Sequence, residues 1–153
     1  MLQSNDANIG WENGMTREEK IEFLNRYKEI DDVIDQKCEE LSIWHARALM
    51  ISPSYSDMPK GGVQEDKIQS AVEKIIALED EINSKIDILV KARDEIVMAV
   101  RTVDDKNQRR LLVMRYLNRR EDYTWEQISA KMNYTYRHVT RLHSLALNML
   151  HIV

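Results

Sequence analysis

Apolar and neutral residues recur in alternating steps of three and four along two long stretches of the chain, which is the spacing of amphipathic helices. The first stretch begins where Thr16 and Glu19 have the pattern of a capping box. Its inner positions are apolar or neutral: Leu24, Tyr27, Ile30, Ile34, Cys38, Leu41, His45 and Ala48. This pattern predicts one long helix with a single buried face, on which Cys38 is a buried thiol and His45 is a residue of the seam.

The first pattern ends in a segment rich in Pro and Gly at about residues 51–64, which predicts a loop. A second stripe of inner positions then follows: Ile68, Val72, Ile75, Leu78, Ile82, Ile86, Leu89, Arg93, Ile96, Val100 and Val103. Two such helices joined by one loop predict a long antiparallel helical hairpin over residues 15–104. The apolar seam exceeds what two helices cover, so a homodimer through the hairpin is a further hypothesis. Residues 1–14 are polar with no helical period, and we expect a flexible arm there.

Three shorter helical patterns follow in residues 105–153, which we treat as a separate domain. The first covers residues 107–118, with inner positions at Leu111, Leu112, Met114 and Leu117. Thr124 and Gln127 open a short helix with another capping-box pattern, and residues 133–135 then predict a turn. The final helix has its buried stripe at Val139, Leu142, Ala146 and Met149. A short helix, a turn and a longer helix together predict a helix-turn-helix in an all-α protein.

The second helix of such a motif suits the major groove of DNA, since its apolar stripe faces inward and its polar face outward. Arg137 and Arg141 are four residues apart and share one helix face, where a guanidinium can bond a guanine edge or a phosphate. Tyr136 and Thr140 can contact thymine methyl groups or phosphates. Phosphate contacts are expected from basic side chains nearby, among them Arg109, Arg110 and Arg115. The full set of DNA-binding candidates is Tyr136, Arg137, His138, Thr140, Arg141, Arg119, Arg120, Lys131 and Thr135.

The distribution of charge supports this division of the chain. The 153 residues carry 22 Lys and Arg against 26 Asp and Glu, a net charge of −4. From residue 106 onward there are nine Lys and Arg against three Asp and Glu, a net charge of +6, which leaves −10 for residues 1–105. A basic C-terminal domain suits DNA, and the acidic remainder disfavours contact with it.

Other classes of function find little support in the sequence. A single cysteine allows no disulfide within the chain and indicates a reducing compartment, the cytoplasm. No apolar run approaches the length of a membrane span. His138 and His143 are five residues apart and do not share a face suited to zinc, and Trp125 is interpreted as a packing residue of the short helix. We expect no metal site, no cofactor and no catalytic activity.

The C-terminal motif resembles that of a family of small phage and prophage proteins whose helix-turn-helix is similar to sigma-factor region four, akin to the RinA and ArpU-type late transcription regulators. The resemblance rests on residues 115–117, 125–128, 132–139 and 141–147 together with the loop at 51–59 and the Asp66-Lys67-Ile68 segment, and it covers about residues 15–150. It implies a sigma region-four-like fold, double-stranded DNA as ligand, and activation of late phage genes in the cytoplasm of a bacterial host.

Two functions remain open from the sequence. The leading hypothesis is a phage- or prophage-encoded transcriptional regulator that reads DNA with helix 136–149, while the acidic hairpin dimerises or touches host RNA polymerase. The alternative is a protein-interaction adaptor that binds RNA polymerase or a sigma factor without a specific DNA site of its own. Retained polymerase binding with no binding to any DNA would favour the adaptor.

Overall fold

The computed structural model describes residues 14–51, 63–118 and 123–153 of the chain. These residues form α-helices, one short π-helical segment and the connections between them, and they contain no strand. The α-helices are α1 (Arg17–Met50), α2 (Val63–Arg101), α3 (Lys106–Leu112), α4 (Trp125–Met132) and α5 (Tyr136–Met149). The prediction of an all-α protein is confirmed at this level. The predicted arm lies almost wholly, and the predicted loop largely, outside the described residues.

Contacts divide the chain into two compact units. The first unit contains the residues up to Lys28 together with Ala92–Val153, and the second unit contains Glu29–Lys91. Helices α1 and α2 therefore each contribute residues to both units. The division predicted from charge, at residues 104 and 105, falls inside the first unit.

The core of the first unit draws on all five helices. Its buried apolar side chains include Leu24, Tyr27, Ala92, Ile96, Val100, Val103, Leu111, Leu112, Ile128, Met132, Val139, Ala146, Leu147 and Leu150. Helix α5 packs against both α3 and α4. The N-terminal turns of α1 thus share one core with the C-terminal helices, which the sequence pattern does not indicate.

Local capping explains where the helices of this unit begin. Thr16 and Glu19 exchange the two hydrogen bonds of a capping box at the start of α1, with distances of 2.7 and 3.2 Å. Thr124 and Gln127 do the same at the start of α4, at 2.9 and 3.2 Å. Asp105 caps α3 by accepting a 2.8 Å hydrogen bond from the backbone amide of Gln108. Both predicted capping boxes are therefore confirmed.

The helix predicted over residues 107–118 differs from what forms. Helix α3 ends at Leu112 and continues as a π-helical segment, Val113–Leu117. The wider turn of a π-helix shifts the side chains that follow it. Tyr116 is buried, whereas Met114 and Leu117 are only half-buried. The inner positions predicted here are therefore correct for Leu111 and Leu112.

The second unit buries a narrower seam than the pattern predicts. Ile34, Ala71, Leu78, Ile82 and Leu89 are buried. Other predicted inner positions of this unit are exposed: Cys38, His45, Val72 and Ile86. Arg93, predicted as an inner position of the same stripe, is exposed in the first unit. The expectations of a buried Cys38 thiol and of a seam position for His45 are wrong, because two helices bury only a narrow seam between them and both side chains lie outside it. His45 instead lies 3.9 Å from the Glu79 carboxylate at the surface.

Ion pairs connect α1 and α2 within the second unit. Lys37 pairs with Glu81, and the Lys74 ammonium lies 3.5 Å from the Glu40 carboxylate. Exposed apolar side chains remain on the same unit, among them Ile43, Ile76, Ile88 and Val90. None of the helices in the described part of the chain is long and apolar enough to cross a membrane.

Candidate nucleic-acid interface

A short turn sets α5 relative to α4. Asn133 ends α4 in the left-handed conformation, with a φ of 56°, and Thr135 begins α5 by accepting a 3.2 Å hydrogen bond from the backbone amide of His138. The Ser129 hydroxyl donates a 2.8 Å hydrogen bond to the Tyr134 carbonyl across the turn. The predicted turn at residues 133–135 is confirmed, and side-chain hydrogen bonds from Ser129 and to Thr135 fix it.

The buried face of α5 differs in part from its predicted stripe. Val139 and Ala146 are buried as expected, but Leu142 is half-buried and Met149 is 45% exposed. His143, Leu147 and Leu150 are buried instead. The prediction is wrong at Leu142 and Met149, because contacts with the rest of the first unit rotate the inner face toward His143.

The candidate DNA-binding residues on α5 are accessible to a ligand. Tyr136, Arg137, His138 and Arg141 are exposed, and Thr140 is half-buried. The Thr140 hydroxyl donates a 3.0 Å hydrogen bond to the Arg137 carbonyl, and the His138 ring packs edge-on against Tyr134 at 4.5 Å between centroids. The helix therefore carries two exposed guanidinium groups on its polar face.

Beside this face lies a cleft of about 530 Å³, which we call the arginine cleft. Four of its lining side chains are arginines from three segments of the first unit: Arg17, Arg115, Arg137 and Arg141. Its other lining residues are neutral at pH 7 or apolar: Ile21, Asn25, Tyr116, Trp125, Thr140, His143 and Ser144. No carboxylate of the described residues is part of this lining.

The arginines of the cleft that lie outside α5 are held by specific contacts. The Arg17 guanidinium donates a 3.2 Å hydrogen bond to the hydroxyl of Ser144. The Arg115 guanidinium donates a 2.6 Å hydrogen bond to the Tyr123 carbonyl and lies 4.6 Å from the centre of the Trp125 ring. Two positive charges from outside α5 are thereby placed next to its polar face.

A buried pair of rings lies at the cleft wall. The Tyr116 hydroxyl and Nε2 of His143 are joined by a 2.8 Å hydrogen bond, and the Trp125 ring packs on His143 at 4.7 Å. Burial lowers the pKa of His143 to about 4, and the charges of Arg17 and Arg115 act in the same direction. Burial also raises the pKa of Tyr116 to about 12, against the opposing effect of the two arginines. Both rings are therefore neutral at physiological pH.

The remaining predicted site residues lie elsewhere. Lys131 donates a hydrogen bond to the Tyr123 hydroxyl, with its ammonium 4.2 Å from the centre of that ring. Arg119 and Arg120 are outside the described residues. Arg109 donates to the carbonyls of Val103 and Asp104 at 2.6 and 2.7 Å, so it holds the connection between α2 and α3. Lys131, Thr135, Tyr136 and His138 are not part of the cleft lining.

The sequence pattern does not indicate that Arg17 is a neighbour of α5 or that Tyr116 and His143 are buried. Arg17 is 127 residues from Ser144, and nothing in the local pattern indicates that the two meet. A polar residue on a helix is usually predicted to face outward. The sequence therefore does not indicate that His143 is buried or that it bonds Tyr116.

Among the described residues, no group of three or more His, Cys, Asp or Glu side chains is arranged to hold a metal ion. Comparisons with protein-family models, with curated proteins and with solved structures found no match.

Proposed function

We propose that this protein is a transcriptional regulator that reads double-stranded DNA with the exposed face of α5. The observation that carries the proposal is the pair Arg137 and Arg141, which project from the polar face of a helix whose opposite face is buried. Guanidinium groups on such a helix match the acceptor edge of guanine in the major groove. The +6 net charge of the chain from residue 106 onward supports binding to a polyanion.

The arrangement of α4 and α5 supports a helix-turn-helix. An eight-residue helix is followed by a pinned three-residue turn and a 14-residue helix, and both helices pack together. In this motif the second helix enters the major groove and its N-terminal residues reach the base edges. We assign base contacts to Arg137 and Arg141, with Tyr136, His138 and Thr140 beside them. Phosphate contacts are assigned to Thr135, Lys131, Arg119 and Arg120.

The second unit is the protein-binding part of this proposal. Residues 29–91 carry fourteen Asp and Glu against seven Lys and Arg, and this net charge of −7 repels DNA. The ion pairs between α1 and α2 support an antiparallel hairpin. The exposed Val33 and Ile88, which line one surface groove, offer an apolar contact for a second copy of the chain. Host RNA polymerase is the other proposed partner of this unit.

The biological setting belongs to the same proposal. The resemblance of the C-terminal motif to late regulators of phages and prophages suggests activation of late genes, and the cytoplasm of a bacterial host is then the place of action. A DNA-binding regulator needs neither a cofactor nor a catalytic site, and we assign it none.

The experiment that tests the function is selection of bound sequences from a random duplex pool by the full chain, with fluorescence anisotropy at two salt concentrations. We expect an enriched motif and an affinity that falls steeply with salt. Arg137→Ala or Arg141→Ala should weaken binding to that motif by about 1–3 kcal/mol and relax its sequence preference.

Lys131→Ala is the matched comparison, because the loss of a phosphate contact weakens binding to all DNA sequences alike. Binding that has no enriched motif and is insensitive to both arginine variants would contradict base reading by α5. No binding to any duplex, with retained binding to RNA polymerase, would favour the adaptor function instead.

A further inference from the structure

We propose that the arginine cleft is a binding site for a phosphate group, bonded by Arg17 and Arg115, with the positive charges of the two arginines of α5 beside it. The site goes beyond base reading by α5, since Arg17 and Arg115 lie on other segments of the chain. It rests on the proposed function only for the source of the phosphate, which is either the DNA backbone or a small phosphorylated ligand.

The charge balance of the cleft is the first argument. Four guanidinium groups line about 530 Å³, and no described carboxylate shares that lining to neutralise them. Like charges gathered in one cleft repel each other, so the contacts that hold Arg17 and Arg115 in the free protein are made against that repulsion. An anion in the cleft would remove that repulsion and gain a favourable interaction from each arginine.

The positions of Arg17 and Arg115 are the second argument. Each is fixed by a neutral partner, the Ser144 hydroxyl and the Tyr123 carbonyl, and no described carboxylate lines the cleft beside them. Their charges reach the buried wall of the cleft, because both lower the pKa of His143. The two groups therefore act on the same small volume, although they are far apart in the chain.

The choice of phosphate follows from the geometry of the donors. A guanidinium presents its N–H groups as a planar fork that bonds two oxygens at once, and one such fork satisfies a carboxylate. A phosphate group presents more acceptor oxygens and suits several forks that approach from different sides. The neutral Tyr116 and His143 add polar atoms to the wall without adding negative charge.

The full chain carries its own reporter of the cleft. Trp125 lines the cleft, and replacing the other two tryptophans, Trp11→Phe and Trp44→Phe, leaves its fluorescence as the only tryptophan signal. This parent protein would be titrated with a short random-sequence duplex and, separately, with inorganic pyrophosphate, at constant ionic strength set with sodium chloride. The same titrations would be repeated with Arg17→Gln and Arg115→Gln.

We expect pyrophosphate to change the Trp125 emission and Arg17→Gln to weaken its binding about tenfold, the loss of one charge-assisted hydrogen bond. Arg93→Gln is the matched control, since it removes one exposed positive charge outside the cleft and should change the affinity less than about twofold. Arg17 is exposed, so Arg17→Gln should fold. Circular dichroism would verify that Arg17→Gln and Arg115→Gln keep their helices.

Each outcome separates the phosphate site from the proposed function. Competition between duplex and pyrophosphate, with both weakened by Arg17→Gln, supports the site and identifies the DNA backbone as the source. Pyrophosphate binding that depends on Arg17, with duplex binding that does not, supports the site and identifies a small ligand. If pyrophosphate binds through Arg17 but no duplex binds, the phosphate site is supported and the proposed DNA reading by α5 is wrong. If Arg17→Gln and Arg115→Gln leave both affinities unchanged, or if nothing binds, the phosphate site is wrong.

Discussion

The ammonium group of Lys20 lies 2.9 Å from the backbone carbonyl oxygen of Leu147, which is 127 residues later in the chain. It also donates a 3.0 Å hydrogen bond to the carbonyl of Leu150, and the lysine side chain is buried. The last carbonyls of a helix lack partners within the helix and carry partial negative charge. Lys20 of α1 thus serves as the C-terminal cap of α5.

We expect Lys20→Met to destabilise the first unit by about 1.5–3 kcal/mol, because two buried carbonyls lose a charged donor while the apolar stem is kept. Urea unfolding followed by circular dichroism measures the change. Lys91→Met, at an exposed position, is the control and should stay within about 0.5 kcal/mol of the wild type. Equal stability of the two variants would show that the cap contributes nothing.

His143 should make folding sensitive to acid. Its pKa is about 4 in the folded protein against an ordinary value of 6.5, so only the unfolded chain takes up a proton on this residue between those values. Its contribution is complete above pH 6.5 and is lost as the pH falls toward 4, about 3 kcal/mol in all. NMR titration of the imidazole gives the folded pKa directly.

His143→Gln provides the control for this prediction, since glutamine does not titrate. The free energy of unfolding of the wild type should fall between pH 7 and pH 4 by more than that of the variant. The difference between the two falls is the contribution of His143. Tyr116→Phe keeps the imidazole and should retain the excess. Parallel pH profiles for the wild type and His143→Gln would rule out the effect.

Asn133 should be the sensitive position of the turn between α4 and α5. Its φ of 56° is costly for residues with a Cβ, and asparagine tolerates it better than most. Asn133→Ala should lower the stability by about 1 kcal/mol, whereas Asn133→Gly should be close to neutral. Thermal unfolding of the two variants side by side measures the difference. A glycine variant as unstable as the alanine variant would contradict the argument from backbone conformation.

Two isoleucines of the second unit should separate the core from the proposed dimer surface. Ile82 is 8% exposed and Ile88 is 52% exposed. Ile82→Asp buries an unpaired carboxylate and should cost more than about 3 kcal/mol. Ile88→Asp should leave the helices intact but reduce the mass measured by light scattering to that of a monomer. A wild type that is monomeric at every concentration would make the homodimer proposal wrong.

The sequence predicted what depends on neighbours along the chain. The capping boxes at Thr16 and Thr124 and the turn at residues 133–135 follow from side chains that bond backbone groups a few positions away. The long helical stripes follow from periodicity. Both signals are local. The capping residues form the predicted bonds, whereas periodicity located the helices but was wrong about burial at Cys38, His45 and Met149.

What the sequence did not reveal depends on residues far apart in the chain. Lys20 has the pattern of a surface charge, yet it is buried because the carbonyls it satisfies belong to α5. His143 is buried because Tyr116 supplies a hydrogen bond from the π-helical segment. The arginine cleft was missed for the same reason, since Arg17 meets Ser144 only in the folded first unit. Helix periodicity carries no information about such partners.

The contribution of α1 to the first unit determines when this unit can fold during translation. Residues 17–28 leave the ribosome long before Leu147 and Leu150, whose carbonyls Lys20 caps. The first unit therefore cannot close during translation until α5 has emerged, whereas the second unit is complete once Lys91 is free. In the proposed function the DNA-reading part is the last to assemble, and a nascent chain would remain unable to bind DNA until α5 has left the ribosome.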